Sequence, residues 1–400
     1  MTAVPPASRP FFPWRRAILT AAAVVAVLFL RRPEVFRHPQ FWAEDGAIFF
    51  VQADVLGARA IAQSYGGYHL FLPRLVAAAA SALDPRWIPA VYFWSSIAMV
   101  AGVTFVLFSP RLELRHPVLC ALALVLVPHS GEAFQSLTNA QWVLAMGLIL
   151  LLVARDPERP VDGIVDVAIA LFVGLTGVFS ILFAPLFLLR AALRRSRASW
   201  LLAAVVAGAA SLQFFTYRHA GLPESTSRDP AGGLVRVVAL RTWGSLLLPP
   251  PKAEAAATGW LAAGAFLATV GLAGVGMRDP ASRTTRLMLW GAIAMTLGVI
   301  VYKFRRDSGV LFGLGNGDRY FFGAKVLLLW LLVLGWDGPL RWFVRIACGV
   351  VICASLSAFR FVPYEDYHWP EWAARIRAGE HVTVPINPPG SGFEYPGRRK

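Results

Sequence analysis

Long apolar runs separated by short polar turns repeat along nearly the whole chain. A membrane crossing takes about 20 mostly apolar residues, so these runs are candidates for transmembrane helices. The predicted spans are residues 17–34, 88–108, 117–128, 142–154, 163–178, 181–193, 199–215, 257–276, 287–302, 320–336 and 342–359. The pattern therefore predicts an all-α polytopic membrane protein with about 11 transmembrane helices.

Residues 68–83 are also apolar, but they contain Pro73 and Arg74, and about 16 residues is short for a crossing. We therefore expect a juxtamembrane helix at the outer interface. With the N-terminus in the cytoplasm, five short basic turns then face the cytoplasm, as the positive-inside rule favours. These turns are residues 109–116, 155–160, 190–197, 278–286 and 337–345.

The longer polar stretches then lie outside the cytoplasm, at residues 35–87, 216–256, 303–319 and 360–400. Arg31 and Arg32 follow the first apolar run where a signal peptidase site would need small residues, which favours an uncleaved first span. We expect a transmembrane domain over 1–360, with a first outer loop at 35–87, and a short extracytoplasmic tail over 361–400. The tail sequence HVTVPINPPG predicts one short strand and turns.

Composition agrees with this class of protein. Of 400 residues, 57% are hydrophobic and 15% are charged, whereas soluble domains carry about 25% charged residues. This excludes a cytosolic enzyme, while three cysteines exclude a disulfide scaffold and 27 Phe with 14 Trp exclude disorder. The net charge of +15 is mostly arginine and, in a membrane protein, favours anionic lipid headgroups over nucleic acid.

The first outer loop places two adjacent carboxylates, Glu44 and Asp45, among aromatic residues. A carboxylate beside an apolar wall can have its basicity raised and act as a general base. Gly46 would let the backbone turn so that one side chain points into a cavity. The competing interpretation is an acidic helix N-cap at the interface.

Residues 63–74 combine aromatic and polar side chains beside a glycine pair, with Tyr65, Tyr68 and His69 followed by Arg74. This pattern suits sugar stacking and also an interfacial aromatic belt. Arg74 within an apolar helix must snorkel, pair with a carboxylate or meet an anion.

The turn over residues 128–142 is polar for a link between short spans. Its Glu132, Asn139 and Gln141 offer hydrogen-bond partners for hydroxyl groups, although solvation of a loop would explain them equally well.

A fourth segment, over residues 303–322, carries cations and glycines. We expect it in an outer loop, and short loops on that side of a membrane are normally not basic. Arginine binds phosphate in a bidentate manner and lysine acts as a point charge, so the segment predicts a phosphate site. A solvated basic loop is the alternative. The residues concerned are Lys303, Arg305, Arg306 and Arg319, with Tyr320 beside them.

The motifs Trp42-Ala43-Glu44-Asp45-Gly46 and Tyr65-x-Gly67-Tyr68 with Pro73-Arg74 resemble the GT-C superfamily of integral-membrane glycosyltransferases. The likeness is strongest to uncharacterised bacterial members with a W-A-E-D-G loop, and it covers residues 35–120. It is weaker near Arg319-Tyr320 and in the tail. The small tail departs from the better-known members, which puts peptide recognition in doubt.

The resemblance implies transfer of a sugar from a polyprenyl-phosphate donor to a glycan or lipid acceptor, outside the cytoplasmic (inner) membrane of a bacterium. It assigns the catalytic role to Asp45, with Glu44 as second choice. A divalent metal is compatible with this reaction but not required, since arginine can supply the charge. The alternatives are a lipid-linked glycan flippase or an O-antigen-type polymerase. We expect no nucleic-acid partner, and the sequence contains no motif that would support a hydrolase.

Overall fold

The computed structural model describes residues 12–220, 231–256, 259–276, 279–280, 282–306, 308–315 and 317–397. Parts of the predicted outer stretch 216–256, of the span 257–276 and of the turn 278–286 lie outside these residues. The described chain is mostly helical.

The helices before the turn at 128–142 are α1 (Trp14–Arg31), α2 (Pro33–Arg37), α3 (Val51–Leu56), α4 (Phe71–Ala80), α5 (Ile88–Val106) and α6 (Pro117–Leu126). The middle of the chain forms α7 (Ala140–Val153), α8 (Pro160–Gly174), α9 (Phe179–Arg194), α10 (Arg197–His219), α11 (Ala231–Ala239), α12 (Ser245–Leu247) and α13 (Pro250–Ala255). The remaining helices are α14 (Gly259–Gly276), α15 (Arg283–Lys303), α16 (Arg319–Val333), α17 (Arg341–Ser357) and α18 (Trp369–Arg377).

Two antiparallel hairpins accompany the helices. Strand β1 (Ser64–Tyr65) pairs with β2 (Tyr68–His69), and β3 (Val382–Ile386) pairs with β4 (Ser391–Tyr395). Wide π-helical turns cover Asp45–Phe50 and Leu240–Gly244, and short 3₁₀ turns cover Gly57–Ala62, Pro85–Trp87 and Gly309–Leu311.

Three helices in the described part of the chain are long and apolar enough to cross a membrane, which indicates a membrane protein. They are Pro85–Val106, Arg197–His219 and Arg283–Lys303. The prediction of eleven spans is therefore not met. The reason is helix length: α6 and α7 have 10 and 14 residues, or about 15 and 21 Å, whereas the hydrocarbon layer is about 30 Å thick.

The five basic turns meet at one end of the helical bundle, which we call the basic end. Successive turns are joined by contacts between their residues. The Arg155 N–H donates to the Arg111 carbonyl at 2.9 Å, and Arg190 binds Asp156 at 2.8 Å. Turn 109–116 also reaches the two later turns through Glu113 with Thr285 at 3.3 Å and His116 with Asp337 at 2.7 Å. The turns thus share one end, as predicted; the side of the membrane that this end faces stays a prediction.

At the other end, the loop end, the expected juxtamembrane segment divides into the hairpin β1–β2 and helix α4. The helix is confirmed between Phe71 and Ala80, while Tyr68 and His69 belong to a strand. The tail is larger than the one strand predicted, since α18 and the hairpin β3–β4 form a small unit. Strand β4 was missed although its Phe393 and Tyr395 alternate toward the interior.

Two apolar cores correspond to these regions. The first joins the long helices around Trp330 of α16, which is fully buried. The second lies at the loop end and joins the first outer loop to the tail. Phe41 packs edge-on against Trp369 of α18, with ring centres 4.7 Å apart, and Phe50 stacks on Tyr395 of β4 at 6.0 Å. The tail therefore holds residues 41–50, which we call the acidic loop, in place.

Candidate functional site

The acidic loop turns sharply just before its two carboxylates. Ala43 has a φ of +37°, and Trp42 forms an isolated bridge with Asn387 of the tail. Gly46 is needed for close packing, not for a special backbone angle, because a Cβ there would lie 2.9 Å from the Phe393 ring and 3.3 Å from Phe41. This corrects the turning role that the sequence suggested for Gly46.

Asp45 is buried, with 3% of its surface exposed. Its two carboxylate oxygens accept hydrogen bonds from the backbone N–H groups of Leu137 and Thr138, both at 2.8 Å, and from the Thr138 hydroxyl. Burial raises the pKa of Asp45 to about 6, although these hydrogen bonds act in the opposite direction. Asp45 thus fastens the acidic loop to the turn over 128–142.

Glu44 points elsewhere, and its side chain is half-buried. It accepts a 3.0 Å hydrogen bond from the Tyr65 hydroxyl of β1. Burial and the adjacent Glu44 carboxylate raise the pKa of Tyr65 above its usual range, while Arg319 lowers it. Glu44 and Tyr65 therefore lie within electrostatic reach of the cation that begins α16.

Tyr68 of β2 completes this contact between the two predicted regions. Burial raises the pKa of Tyr68, and neighbouring Tyr320 and Glu44 raise it further, whereas a hydrogen bond with Gln141 and the charge of Arg319 lower it. The structure thus brings the acidic loop, the aromatic hairpin and the start of α16 together. We call Glu44, Tyr65, Tyr68, Arg319 and Tyr320 the loop-end site.

Arg319 is held by the turn over 128–142. Its guanidinium lies 3.8 Å from the Glu132 carboxylate, which also accepts the Arg319 backbone N–H at 3.3 Å. Lys303, at the end of α15, donates a 3.1 Å hydrogen bond to the Tyr320 hydroxyl. Glu132 therefore orients one cation of the loop-end site, and Tyr320 receives the other.

Arg305 behaves differently from Lys303. The Arg305 guanidinium folds back on its own helix end, donating to the Tyr302 carbonyl at 2.6 Å and lying 4.1 Å from the Tyr302 ring centre. The structure therefore does not bring Arg305 to the loop-end site. Arg306 is half-buried in the same turn.

Gln141 and Asn139 begin α7 and are both buried. The Gln141 side chain donates to the Thr138 carbonyl at 3.3 Å, and its Oε1 occupies the space that a Cβ on Gly177 would need. Gly177 has a φ of +88°. The Asn139 Nδ2 lacks a hydrogen-bond partner among the described residues, so its amide has a donor left for a ligand or a water molecule.

His69 and Arg74 lie beside the loop-end site but are used differently. The main chain of His69 exchanges hydrogen bonds with the Gln213 side chain of α10, at 2.8 and 3.1 Å. Arg74 is fully buried, donates to Gln52 at 2.6 Å and lies 4.5 Å from the Phe49 ring centre. Its Nε and Nη2 have no hydrogen-bond partner among the described residues.

A buried charge cluster lies behind the site and was missed as a unit. Asp318, just before Arg319, binds Lys325 at 2.7 Å, accepts the Ser130 N–H at 2.9 Å and lies 3.6 Å from Arg241. Neighbouring Lys325 and His129 hold the pKa of Asp318 at about 2 despite its burial. Lys325 follows Asp318 by seven positions, about two helical turns, and this spacing is the sequence signal for the pair.

Arg31 and Arg32 hold the chain where α17 ends and the tail begins. Arg31 donates to the Phe359 carbonyl at 3.0 Å, and Arg32 donates to the Val362 carbonyl at 3.0 Å. Both side chains are buried. Main-chain carbonyls thus accept hydrogen bonds from both guanidinium groups, while the Arg31 Nη2 has no hydrogen-bond partner among the described residues.

The site was tested for a divalent metal. No group of three or more His, Cys, Asp or Glu side chains that could hold a metal ion occurs in the described part of the chain. The one open carboxylate of the site, Glu44, faces a phenol and a guanidinium, which are poor partners for a cation. The residues of the loop-end site therefore do not suit a divalent metal ion.

The loop-end site can do two things chemically. A half-buried carboxylate can accept a proton, and two cations, Arg319 and Lys303, which each contact Tyr320, can stabilise an anion. We found no significant match between the chain and any protein-family model, curated protein or solved structure.

Proposed function

We propose that the protein is a GT-C-like glycosyltransferase that moves a sugar from a polyprenyl-phosphate donor to a glycan or lipid acceptor. The observation that carries the proposal is that Glu44, which accepts the Tyr65 hydroxyl, and Arg319 both act on the pKa values of Tyr65 and Tyr68 and so lie near both phenols. Glycosyl transfer from a phosphate requires a proton acceptor and an anion-stabilising cation in the same site.

In this proposal the acceptor hydroxyl oxygen attacks the anomeric carbon of the donor sugar, and its proton passes to a carboxylate. The bond between the anomeric carbon and the phosphate oxygen breaks, and polyprenyl phosphate leaves. The transition state resembles an oxocarbenium ion, so a nearby carboxylate also stabilises its positive charge. Arg319 and Lys303 stabilise the negative charge that develops on the leaving phosphate.

The geometry favours Glu44 over Asp45 as the proton acceptor. Both Asp45 oxygens already accept hydrogen bonds from residues 137–138, whereas Glu44 accepts one, from Tyr65, among the described contacts. Asp45 then acts as a positioning residue, since it fixes the loop that carries Glu44. This reverses the order of preference that the family resemblance gave to the two carboxylates.

The remaining polar residues suit the acceptor and the sugar. Tyr65, Tyr68 and Tyr320 offer ring faces for sugar stacking, and the free Nδ2 of Asn139 offers a donor for a hydroxyl. We propose that this end of the bundle faces away from the cytoplasm of a bacterial inner membrane, because the arginine-rich turns gather at the opposite end.

The transport alternative has one supporting observation. Asp318, Lys325 and Arg241 form a buried charge cluster, and buried charges in membrane proteins often mark transport pathways. The experiment is to reconstitute the purified protein in liposomes with a radiolabelled polyprenyl-phosphate sugar and a mixed glycolipid acceptor. A labelled acceptor supports the transferase. Movement of donor across the bilayer without product would support a flippase, and repeated extension would support a polymerase.

A further inference from the structure

A cavity of about 340 Å³ opens at the basic end of the bundle, away from the loop-end site along the helices. It lies where the first turn of α8 faces the first turns of α10. Its volume falls within the range of small-ligand sites, about 300–1,000 Å³. The lining includes Gly163, Ile164, Asp166, Arg190, Leu201 and Leu202.

The walls of this cavity are apolar and open outward. Ile164 is 68% exposed and Leu201 is 57% exposed on the surface of the protein. Helix α10 is one of the three candidate spans and begins at Arg197, so Leu201 lies about 6 Å along the helix from that end. The opening is therefore at the depth where acyl chains meet lipid headgroups.

The floor of the cavity is polar. Arg190 is 2% exposed; it donates to Asp156 at 2.8 Å and to Ser199 at 3.1 Å. Its Nε has no hydrogen-bond partner among the described residues. Asp166 also lines the cavity, but both of its oxygens are bound by Arg111, at 2.8 and 2.5 Å. The donor that remains in this floor is a cationic N–H.

The surrounding turns and helix ends carry an excess of three positive charges. The side chains concerned are Arg111, Arg155, Arg159, Arg190, Arg194, Arg195 and Arg197 against Asp156, Glu158, Asp162 and Asp166. An apolar slot that ends at a buried guanidinium and is bordered by net positive charge complements an amphiphile with an anionic head.

We propose that this cavity binds an anionic phospholipid, with part of an acyl chain between α8 and α10 and the phosphate near Arg190 and Arg197. The inference does not depend on the transferase reaction, because the cavity and the loop-end site share no residue. It assigns to the basic end a lipid specificity that the exposed apolar surface of a span would not have by itself.

The test measures retention of phosphatidylglycerol and phosphatidylcholine by the full chain in neutral detergent, using native mass spectrometry. Gly163→Phe fills the cavity, and its Cβ is tolerated, since the nearest atom would be Pro157 Cγ at 3.6 Å. Gly208→Phe is the matched control, because it makes the same change on α10, where a Cβ meets nothing within 4 Å. Arg197→Gln removes a charge at the rim, and Arg197→Lys keeps it.

We expect the wild-type protein and the Gly208→Phe variant to retain phosphatidylglycerol at least tenfold more strongly than phosphatidylcholine. Gly163→Phe should lose this retention while its melting temperature in lipid-free detergent stays near that of Gly208→Phe. Arg197→Gln should weaken retention about tenfold and Arg197→Lys should restore it. Equal retention of both lipids by the wild-type protein, or unchanged retention by Gly163→Phe, would overturn the proposal.

Discussion

The Asp45 carboxylate is bonded to the backbone N–H of Thr138 at 2.8 Å, while its neighbour Glu44 accepts the hydroxyl of Tyr65 at 3.0 Å. Adjacent acidic residues thus serve different parts of the molecule. One joins two loops in the interior, and the other faces an aromatic and cationic surface. Variants of Glu44 and Asp45 should therefore affect activity and stability differently.

Glu44→Gln should lower the transfer rate about 10²- to 10⁴-fold, because the amide cannot accept the acceptor's proton. Its melting temperature should stay close to that of the wild-type protein. Asp45→Asn should lower the melting temperature, because its amide keeps only one acceptor oxygen and places an NH₂ donor against one of the two N–H groups that the carboxylate satisfies. Transfer assays and thermal unfolding of both variants check this, with exposed Glu394→Gln as the control. A fully active Glu44→Gln variant would remove Glu44 from the reaction.

The pKa of Asp45 predicts a pH dependence of stability. Its folded-state pKa of about 6 is above the ordinary value of 3.8, so the folded chain holds this proton more tightly than the unfolded chain. Between about pH 4 and pH 6 the unfolded state is the one that ionises first. The contribution of Asp45 to the free energy of unfolding should therefore fall by about 3 kcal/mol as the pH rises through this window, and stay constant above it.

The measurement is the difference in unfolding free energy between the wild-type protein and Asp45→Asn at several pH values, since other groups cancel in that difference. The advantage of the wild-type protein should shrink from pH 4 to pH 6. A difference that is flat, or that grows over this range, would contradict the burial of an ionisable Asp45.

Gly177→Ala should destabilise the turn between α8 and α9. Gly177 has a φ of +88°, and a Cβ there would collide with the Gln141 side-chain oxygen. We expect a loss of about 1–3 kcal/mol in the free energy of unfolding, together with weaker sugar binding as Gln141 moves. Gly208→Ala, in open space on α10, should be neutral or slightly stabilising. Thermal unfolding of the two variants side by side checks the contrast.

Trp369→Ala should loosen the acidic loop from the tail. The Trp369 indole donates to the Pro85 carbonyl at 2.9 Å and its ring packs against Phe41 and Phe50. A buried Trp→Ala change costs about 3–5 kcal/mol, and the transfer rate should fall with it. Trp342→Ala, whose side chain is 65% exposed, is the matched control. Unchanged activity in Trp369→Ala would show that the tail does not support the site.

The charge cluster around Asp318 should respond unequally to its two simplest changes. Asp318→Asn leaves Lys325 and Arg241 buried beside each other without their shared carboxylate. Lys325→Met leaves Asp318 with Arg241 still 3.6 Å away. We expect Asp318→Asn to cost about 3–5 kcal/mol and Lys325→Met to cost less. The double variant should be more stable than Asp318→Asn alone, as measured by chemical unfolding in detergent.

Sequence predicts that Glu44, Tyr65 and Arg319 lie at the same end of the bundle. The reason is that an even number of predicted spans separates the first outer loop from the loop before Arg319. The direction of each carboxylate could not be predicted. Neighbouring residues in a helical turn differ by about 100°, so the pattern cannot say whether Asp45 or Glu44 points inward. The inward direction of Asp45 is set by its hydrogen bond with Thr138, which lies 93 positions after Asp45 in the sequence.

The number of spans was the largest error, and it also has a physical reason. Apolar runs report which residues avoid water, and residues buried within a bundle satisfy that pattern as well as residues facing lipid. Nearly every residue of α7 is buried by neighbouring helices, yet that helix has only 14 residues. The predicted runs therefore each contain a helix, but several of these helices are too short for a full crossing. The shorter helices outside the runs were missed, namely α2, α3, α11, α12, α13 and α18.

The bridge between Trp42 and Asn387 gives the protein an order of assembly. The ribosome synthesises the acidic loop early and Asn387 much later, after the helices that lie between them in the sequence. The surroundings of Glu44 are therefore incomplete until the tail strands have been synthesised and have packed over Phe41 and Gly46. A nascent chain that stalls before Asn387 would already contain the preceding helices, but its Trp42 and Phe41 would lack the tail contacts that hold them.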